Sequence, residues 1–548
     1  MKIALAQLNC HIGNFETTAR KIIAAIKQAH HAGAELAVFS ELAVTGYYPA
    51  DLLEQEAFIR QAEATIQRIA EHCVGIAAIV GAPTVNPDER GKRLFNSACF
   101  LCDGRVTAIR HKSLLPTYDV FDEYRHFEPN TEFQLVEYNG LKLALTICED
   151  LWDDQPVSNR FAKAKLYRTS PMAELSKLSP DLVINLSASP FSYNQEHWRK
   201  HVLVTQAKEY GLPIVYVNQT GAHTELVFDG GSCYVAADGS IPVELAYFVE
   251  DFRVIDTEHI VVSHPPKQER IAKIHSALLL GIRDYFGKMG FSDAILGLSG
   301  GIDSAVVCAL AVEALGADHV RGLLMPSKFS SDHSIADAVK LAENLGIRYD
   351  IVKIHDAVDT FGSDLKPLFE NRPPDITEEN IQARTRGILL MAMSNKFGNL
   401  LLNTTNKSEC AVGYGTLYGD LNGSLSVIGD VYKTDVYQLA EYINRNGAVI
   451  PQNSISKPPS AELRPDQKDS DSLPDYPTLD AILFRYIEQN QSAEEIIAAG
   501  FLRETVIKTI HLVNKYEFKR FQTPPILRVS SKAFGFGRRM PLVAKYSV

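Results

Sequence analysis

The sequence predicts two α/β domains: layered sheets and helices up to about residue 262, then a doubly wound parallel sheet to the end. Three observations lead there. Residues 1–262 alternate short β-type runs with helical stretches, residues beyond about 290 alternate strand and helix in the rhythm of βαβ units, and Pro265-Pro266 breaks the pattern between them.

A length of 548 residues exceeds one ordinary core, at about 100 to 250 residues per domain. With 46% hydrophobic and 22% charged residues, core material is ample and no disorder is expected. A net charge of −11 argues against a general affinity for nucleic acid or an anionic membrane. No run of about 18 apolar residues occurs, and residues 1–9 are too short and polar for a signal segment. Eight scattered cysteines fit reduced thiols, and the expectation is a cytoplasmic protein. Cys99 and Cys102 are spaced as a Cys-x-x-Cys, but within a strand-like run that puts their thiols on opposite faces.

In the first half, strands are expected over 2–7, 36–39, 75–80, 94–101, 141–147, 182–186 and 214–218, with a helix over 17–32. Three residues just past strands carry the chemistry. Cys148, after Leu141-Lys-Leu-Ala-Leu-Thr-Ile, sits where a turn presents a nucleophile. A thiolate needs a nearby cation and a base. Lys112, in Arg110-His111-Lys112-Ser113, can supply the first, and Glu41, in Phe39-Ser40-Glu41-Leu42, the second.

The order and contexts of Glu41, Lys112 and Cys148 resemble the nitrilase superfamily. So do Leu115-Pro116-Thr117-Tyr118, Asn185-Leu186-Ser187-Ala188-Ser189 and Val217-Asn218-Gln219, which look like its glutaminase branch. The resemblance implies an αββα sandwich for residues 1–262 and amide hydrolysis through a thioester. It places Glu41, Lys112 and Cys148 in the catalytic triad and Tyr118 and Ser189 against glutamine. Position 195, basic in some relatives, is Gln195 here and joins the glutamine contacts.

Between the halves, residues 262–270 lead from Pro265-Pro266 into a helix expected over 270–288. A strand near 293–298 then precedes Ser299-Gly300-Gly301-Ile302-Asp303-Ser304, followed by helix-forming residues to 315. A strand, a glycine turn and a helix N-terminus aim backbone N–H groups at one point, which suits a phosphate. No lysine follows the glycines, so this is not the common nucleotide loop. Further strands and helices are expected over 320–325, 334–345, 349–354, 379–393, 399–403 and 435–444, with ligands at the carboxyl ends of the strands. Residues 403–409 place a hydroxyl, the Lys407 ammonium and the Glu409 carboxylate within a short loop, a mixture that suits phosphate and Mg²⁺, and Lys433 is a further candidate cation.

Ser-Gly-Gly-x-Asp-Ser resembles the ATP pyrophosphatase signature. With Glu379-Asn380-Ile381-Gln382-Ala383-Arg384, Thr405-Asn406-Lys407-Ser408-Glu409 and Tyr418-Gly419-Asp420 in this order, residues 263–548 resemble the NAD synthetase family. The resemblance implies ATP at Gly297, Leu298, Ser299, Gly300, Gly301, Ile302, Asp303, Ser304 and Thr404. It implies deamido-NAD at Asn380, Glu409 and Lys519, Mg²⁺ at Asp303 and Glu409, and a homo-oligomer. It also implies a lid in the polar stretch 456–476. The basic, aromatic run 515–539 is expected to pack on its own domain rather than bind nucleic acid. The implied partners are small-molecule substrates, with no nucleic acid and no membrane.

Overall fold

The computed structural model describes residues 1–153, 166–370, 372–465 and 467–545. Asp466, within the expected lid, lies outside the described residues. The chain divides into two compact units, Met1–Lys267 and Gln268–Val548.

In the first unit, strands are apolar on both faces. Along Lys2–Gln7, Ile3 and Leu5 turn one way and Ala4 and Ala6 the other. Two six-stranded sheets result. One runs Asp251–Asp256, Lys2–Gln7, Leu36–Val38, Ala77–Val85, Leu94–Cys102, Arg105–His111, and the other Val243–Glu244, Cys233–Val235, Ile214–Asn218, Leu182–Ser187, Leu141–Ile147, Val136–Tyr138. Their facing sides pack Leu5, Val38 and Ile79 with Leu145, Ile184 and Val217. Helices Phe15–His31 and Glu56–Ala70 cover the first sheet through Ile22, Ile26, Ile66 and Ile69. Pro171–Ser176 and Gln195–Tyr210 cover the second through Met172, Leu175, Leu203 and Ala207. The layers are αββα. Leu141–Ile147, Leu182–Ser187 and Ile214–Asn218 are parallel, so the residues that follow them emerge at one edge.

Among the described residues, the second unit holds five parallel strands in the order Arg348–Ile351, Val320–Leu324, Ala294–Gly297, Leu400–Asn403, Leu425–Ser426. The order reverses between Ala294–Gly297 and Leu400–Asn403, the switch point where a doubly wound sheet opens a crevice at its carboxyl edge. Helix Ile376–Phe397 lays Leu390 over Ile295, Leu323 and Leu401.

Several helices start earlier than the apolar pattern indicates. Asp332–Leu345 and Ile376–Phe397 gain their first turns because Ser331 and Asp375 accept hydrogen bonds from Ser334 N–H and Thr377 N–H. Cys99 packs on the helix side of its strand and Cys102 on the side between the sheets. All eight cysteines are free thiols. The basic C-terminal run packs on its own unit: Arg520 donates to the carbonyls of Cys410 and Ala411, and Phe534 is buried. Among the described residues, no helix is long and apolar enough to cross a membrane.

Candidate active sites

Cys148 follows Leu141–Ile147 directly and opens the tight turn Cys148–Leu151 with φ +42, a left-handed conformation unusual outside glycine. Asp150 braces this turn. Its Oδ2 accepts from Ile147 N–H and its Oδ1 from the N–H groups of Ser113 and Leu114, each at 2.9 Å, which ties the Cys148 turn to the segment carrying Lys112.

Lys112 is fully buried. Its Nζ lies 2.7 Å from Glu41 Oε1 and 2.7 Å from Glu123 Oε1, with both carboxylates buried as well. Asn96 Nδ2 donates to Glu41 Oε1 at 2.8 Å, and Ala188 N–H donates to Glu41 Oε2 at 3.0 Å. Tyr47 O–H donates to Glu123 at 2.7 Å. Burial raises the Glu41 carboxyl to about 7 against the pull of Lys112. Burial would lower Lys112, but Glu123, Glu41 and Cys148 outweigh it and hold the ammonium well above its ordinary value. Burial, with Glu41 adding to it, pushes the Cys148 thiol up while Lys112 opposes. The same burial thus raises both the Cys148 thiol and the Glu41 carboxyl, and the Lys112 ammonium opposes both shifts.

Of the expected glutamine contacts, Tyr118 donates to Glu149 Oε1 and Oε2 at 2.9 and 3.0 Å, and Glu149 is the residue next to Cys148. Ser189 is buried, its N–H held by Asn218 Oδ1 at 2.9 Å, one residue from the Ala188 that binds Glu41. Gln195 begins the helix Gln195–Tyr210 and makes no side-chain hydrogen bond to this cluster among the described residues. Two further carboxylates join the cluster. Glu123, eleven residues after Lys112, comes from the short turn Glu123–Arg125, and Glu149, raised to about 8 by burial, directly follows Cys148.

In the second unit, a cavity of about 600 Å³ opens at the switch point. Gly297, Leu298, Ser299, Gly301, Ile302, Asp303 and Ser304 line it from one strand end, Thr404 and Glu409 from the other. Gly300 has φ +77, and a Cβ there would fall 2.1 Å from the Ser334 carbonyl oxygen, so only glycine fits. Helix Ile302–Leu315 points its N-terminus at the cavity. Asp303 accepts from Asn406 Nδ2 at 2.9 Å and is in contact with the Lys433 ammonium, which also lies 3.5 Å from Glu409 Oε1. Burial, then repulsion from Asp303, raises Glu409 to about 8 despite Lys433.

The ammonium beside these carboxylates is thus Lys433, not Lys407. Lys407 is fully buried elsewhere, bound to Asp430, Glu488 and Ser530. Asn380 accepts from Thr416 Oγ1 at 2.7 Å, and Lys519 donates to the carbonyls of Gly413 and Gly415 at 2.8 and 2.6 Å. Neither lines the cavity, but both hold the loop whose Tyr414 does. The stretch expected to form a lid walls the cavity with residues including Lys457, Glu462 and Asp469. Glu462 accepts from the hydroxyls of Ser331 and Ser334 at 2.8 and 2.7 Å.

Residues 2–258 match the carbon-nitrogen hydrolase family and residues 274–523 the NAD synthase family. A glutamine-dependent NAD(+) synthetase of Synechocystis is 47% identical, covering 99% of both chains. One of Thermotoga maritima is 40% identical over 100% of this chain and 99% of its own. The solved structure of the glutamine-dependent NAD+ synthetase of Acinetobacter baumannii with adenosine diphosphate superimposes with a TM-score of 0.78, at 40% identity over 99% of this chain and 98% of that one.

Proposed function

The chain belongs to the glutamine-dependent NAD(+) synthetases, and from that premise we propose how its residues divide the reaction. Glutamine is hydrolysed to glutamate and ammonia, ATP adenylates deamido-NAD with release of pyrophosphate, and ammonia displaces AMP to give NAD. Residues 1–262 take the first task and 263–548 the other two.

In the amidase half, Cys148 Sγ attacks the glutamine carboxamide as its proton passes to Glu41, and the Lys112 ammonium stabilises the oxyanion. Glu41 returns the proton to the departing ammonia, leaving a γ-glutamyl thioester. Water then adds with Glu41 as base, releasing glutamate and the thiol. Glu123 positions Lys112 without touching substrate, while Tyr118, Ser189 and Gln195 hold the glutamine. The observation that carries this reading is the 2.7 Å contact of Lys112 with Glu41, fully buried in the same electrostatic cluster as Cys148.

In the other half, the loop 297–304 and Thr404 bind ATP, and the N-terminus of Ile302–Leu315 attracts its phosphates. Asn380, Glu409 and Lys519 bind deamido-NAD. Asp303 and Glu409 fit Mg²⁺: two carboxylates share one cation already, the ammonium of Lys433. Mg²⁺ held there would neutralise charge on the leaving pyrophosphate. Free thiols throughout support a cytoplasmic enzyme, and family resemblance supports a homo-oligomer.

The purified chain, given deamido-NAD, ATP, Mg²⁺ and ammonium, is expected to form AMP, pyrophosphate and NAD in equal amounts. A chain that hydrolyses glutamine yet forms no AMP from deamido-NAD and ATP with either ammonium or glutamine would contradict the assignment of the second half.

A further inference from the structure

Apart from both sites, a third cluster joins two turns of the first unit. Asp51 and Glu54 belong to the 3-10 turn Ala50–Glu54, in which side chains three apart eclipse, so their carboxylates stand side by side. They face His126, which closes the short turn Glu123–Arg125 and is 8% exposed. His126 Nε2 lies 3.5 Å from Asp51 Oδ1 and 3.6 Å from Glu54 Oε1. The three atoms all lie within 4.8 Å of one another.

On the far side of the ring, the Tyr48 hydroxyl lies 3.2 Å from the Asp122 carbonyl oxygen and in close contact with His126 Nδ1. Nε2, on the near side, is buried, has no hydrogen-bond partner and faces the two carboxylates. The far-side contacts accommodate the tautomer a metal needs, with Nδ1–H donating to the phenol oxygen and the phenol donating to the Asp122 carbonyl, so that the Nε2 lone pair is available to an ion. Separations of 3.5 and 3.6 Å are long for hydrogen bonds. They leave room for an ion instead, since ligand distances of about 2.1 Å would put the two nitrogen–ion–oxygen angles at about 115°.

We propose that Asp51, Glu54 and His126 bind a first-row divalent cation of the zinc class, with a water in the fourth position. One imidazole and two carboxylates are an ordinary ligand set for such an ion. Arg125 Nη2, 3.2 Å from Asp51 and 3.8 Å from Glu54, offsets one of the two charges. It is half-exposed and would turn outward when the ion enters. The ion would staple the Ala50–Glu54 turn to the turn that carries Glu123, and Glu123 grips Lys112.

Titration of the metal-free full-length chain with Co²⁺ and then Zn²⁺ tests this. Wild type is expected to bind one equivalent more than the double variant Asp51→Asn with Glu54→Gln. The extra Co²⁺ should show the visible absorption of a tetrahedral site, disappear on Zn²⁺ addition, and be missing in His126→Ala. The double variant alters only exposed carboxylates, so it decides the matter even if His126→Ala does not fold. Equal stoichiometry and equal spectra in wild type and double variant would overturn the proposal and leave a histidine–carboxylate ion pair in its place.

Discussion

The backbone N–H of Ala188 donates to Glu41 Oε2 at 3.0 Å, so a residue following a strand of one sheet fixes the carboxylate that follows a strand of the other. Both oxygens of Glu41 are engaged, Oε1 by Lys112 and Asn96, which leaves the group no freedom to rotate away from the cluster. Its position is set by the sandwich itself rather than by a flexible loop.

Glu41→Gln retains the shape and removes the base. Glutamine hydrolysis should fall about a hundredfold or more, while synthesis from ammonium is unchanged. Glutamate release and ammonium-driven NAD formation, assayed side by side, check it.

The pH dependence follows from the raised Glu41 carboxyl. It must be ionised to accept the Cys148 proton, and burial holds it at about 7. Glutaminase kcat/KM should therefore drop about tenfold per unit below pH 7 and level off above it. A profile flat down to pH 5 would show that another group is the base.

Gly300→Ala forces a Cβ to within 2.1 Å of the Ser334 carbonyl at a φ of +77. The strain is about 1 to 3 kcal/mol. The loop must shift, so ammonium-driven synthesis should weaken through ATP, seen as a raised ATP KM, with glutaminase intact.

The Lys407 cluster and the Lys433–Asp303 pair should separate cleanly on mutation. Lys407→Met strands the buried carboxylates Asp430 and Glu488, and should cost about 3 to 5 kcal/mol of stability, read as a lower melting midpoint. Asp303→Asn, which removes a carboxylate beside Lys433, should instead spare stability and lower ammonium-driven synthesis about a hundredfold or more.

That contrast also marks what the sequence reveals and what it hides. Strands such as Leu141–Ile147 and Ile214–Asn218 are legible because apolar residues fill both faces of a buried strand. Arg105–His111 alternates with charged, partly exposed residues at a sheet edge and leaves a weak signal, and so does the hairpin of Thr220–His223 with Leu226–Asp229. Glu41, Lys112 and Cys148 could be picked out because each follows a strand, yet Glu123 enters the cluster from a short turn with no periodicity. Lys407 and Lys433 look alike in sequence, since each opens a helix of mixed polar and apolar residues. Only packing decides that one ammonium enters the core and the other faces Asp303.

The most direct test compares wild type with Cys148→Ala, each making NAD from deamido-NAD, ATP and Mg²⁺ with either glutamine or ammonium chloride as nitrogen source. The variant is expected to lose glutamine-driven synthesis and retain the ammonium reaction at the wild-type rate. Glutamine-driven synthesis surviving in Cys148→Ala would contradict the division of labour between the two units.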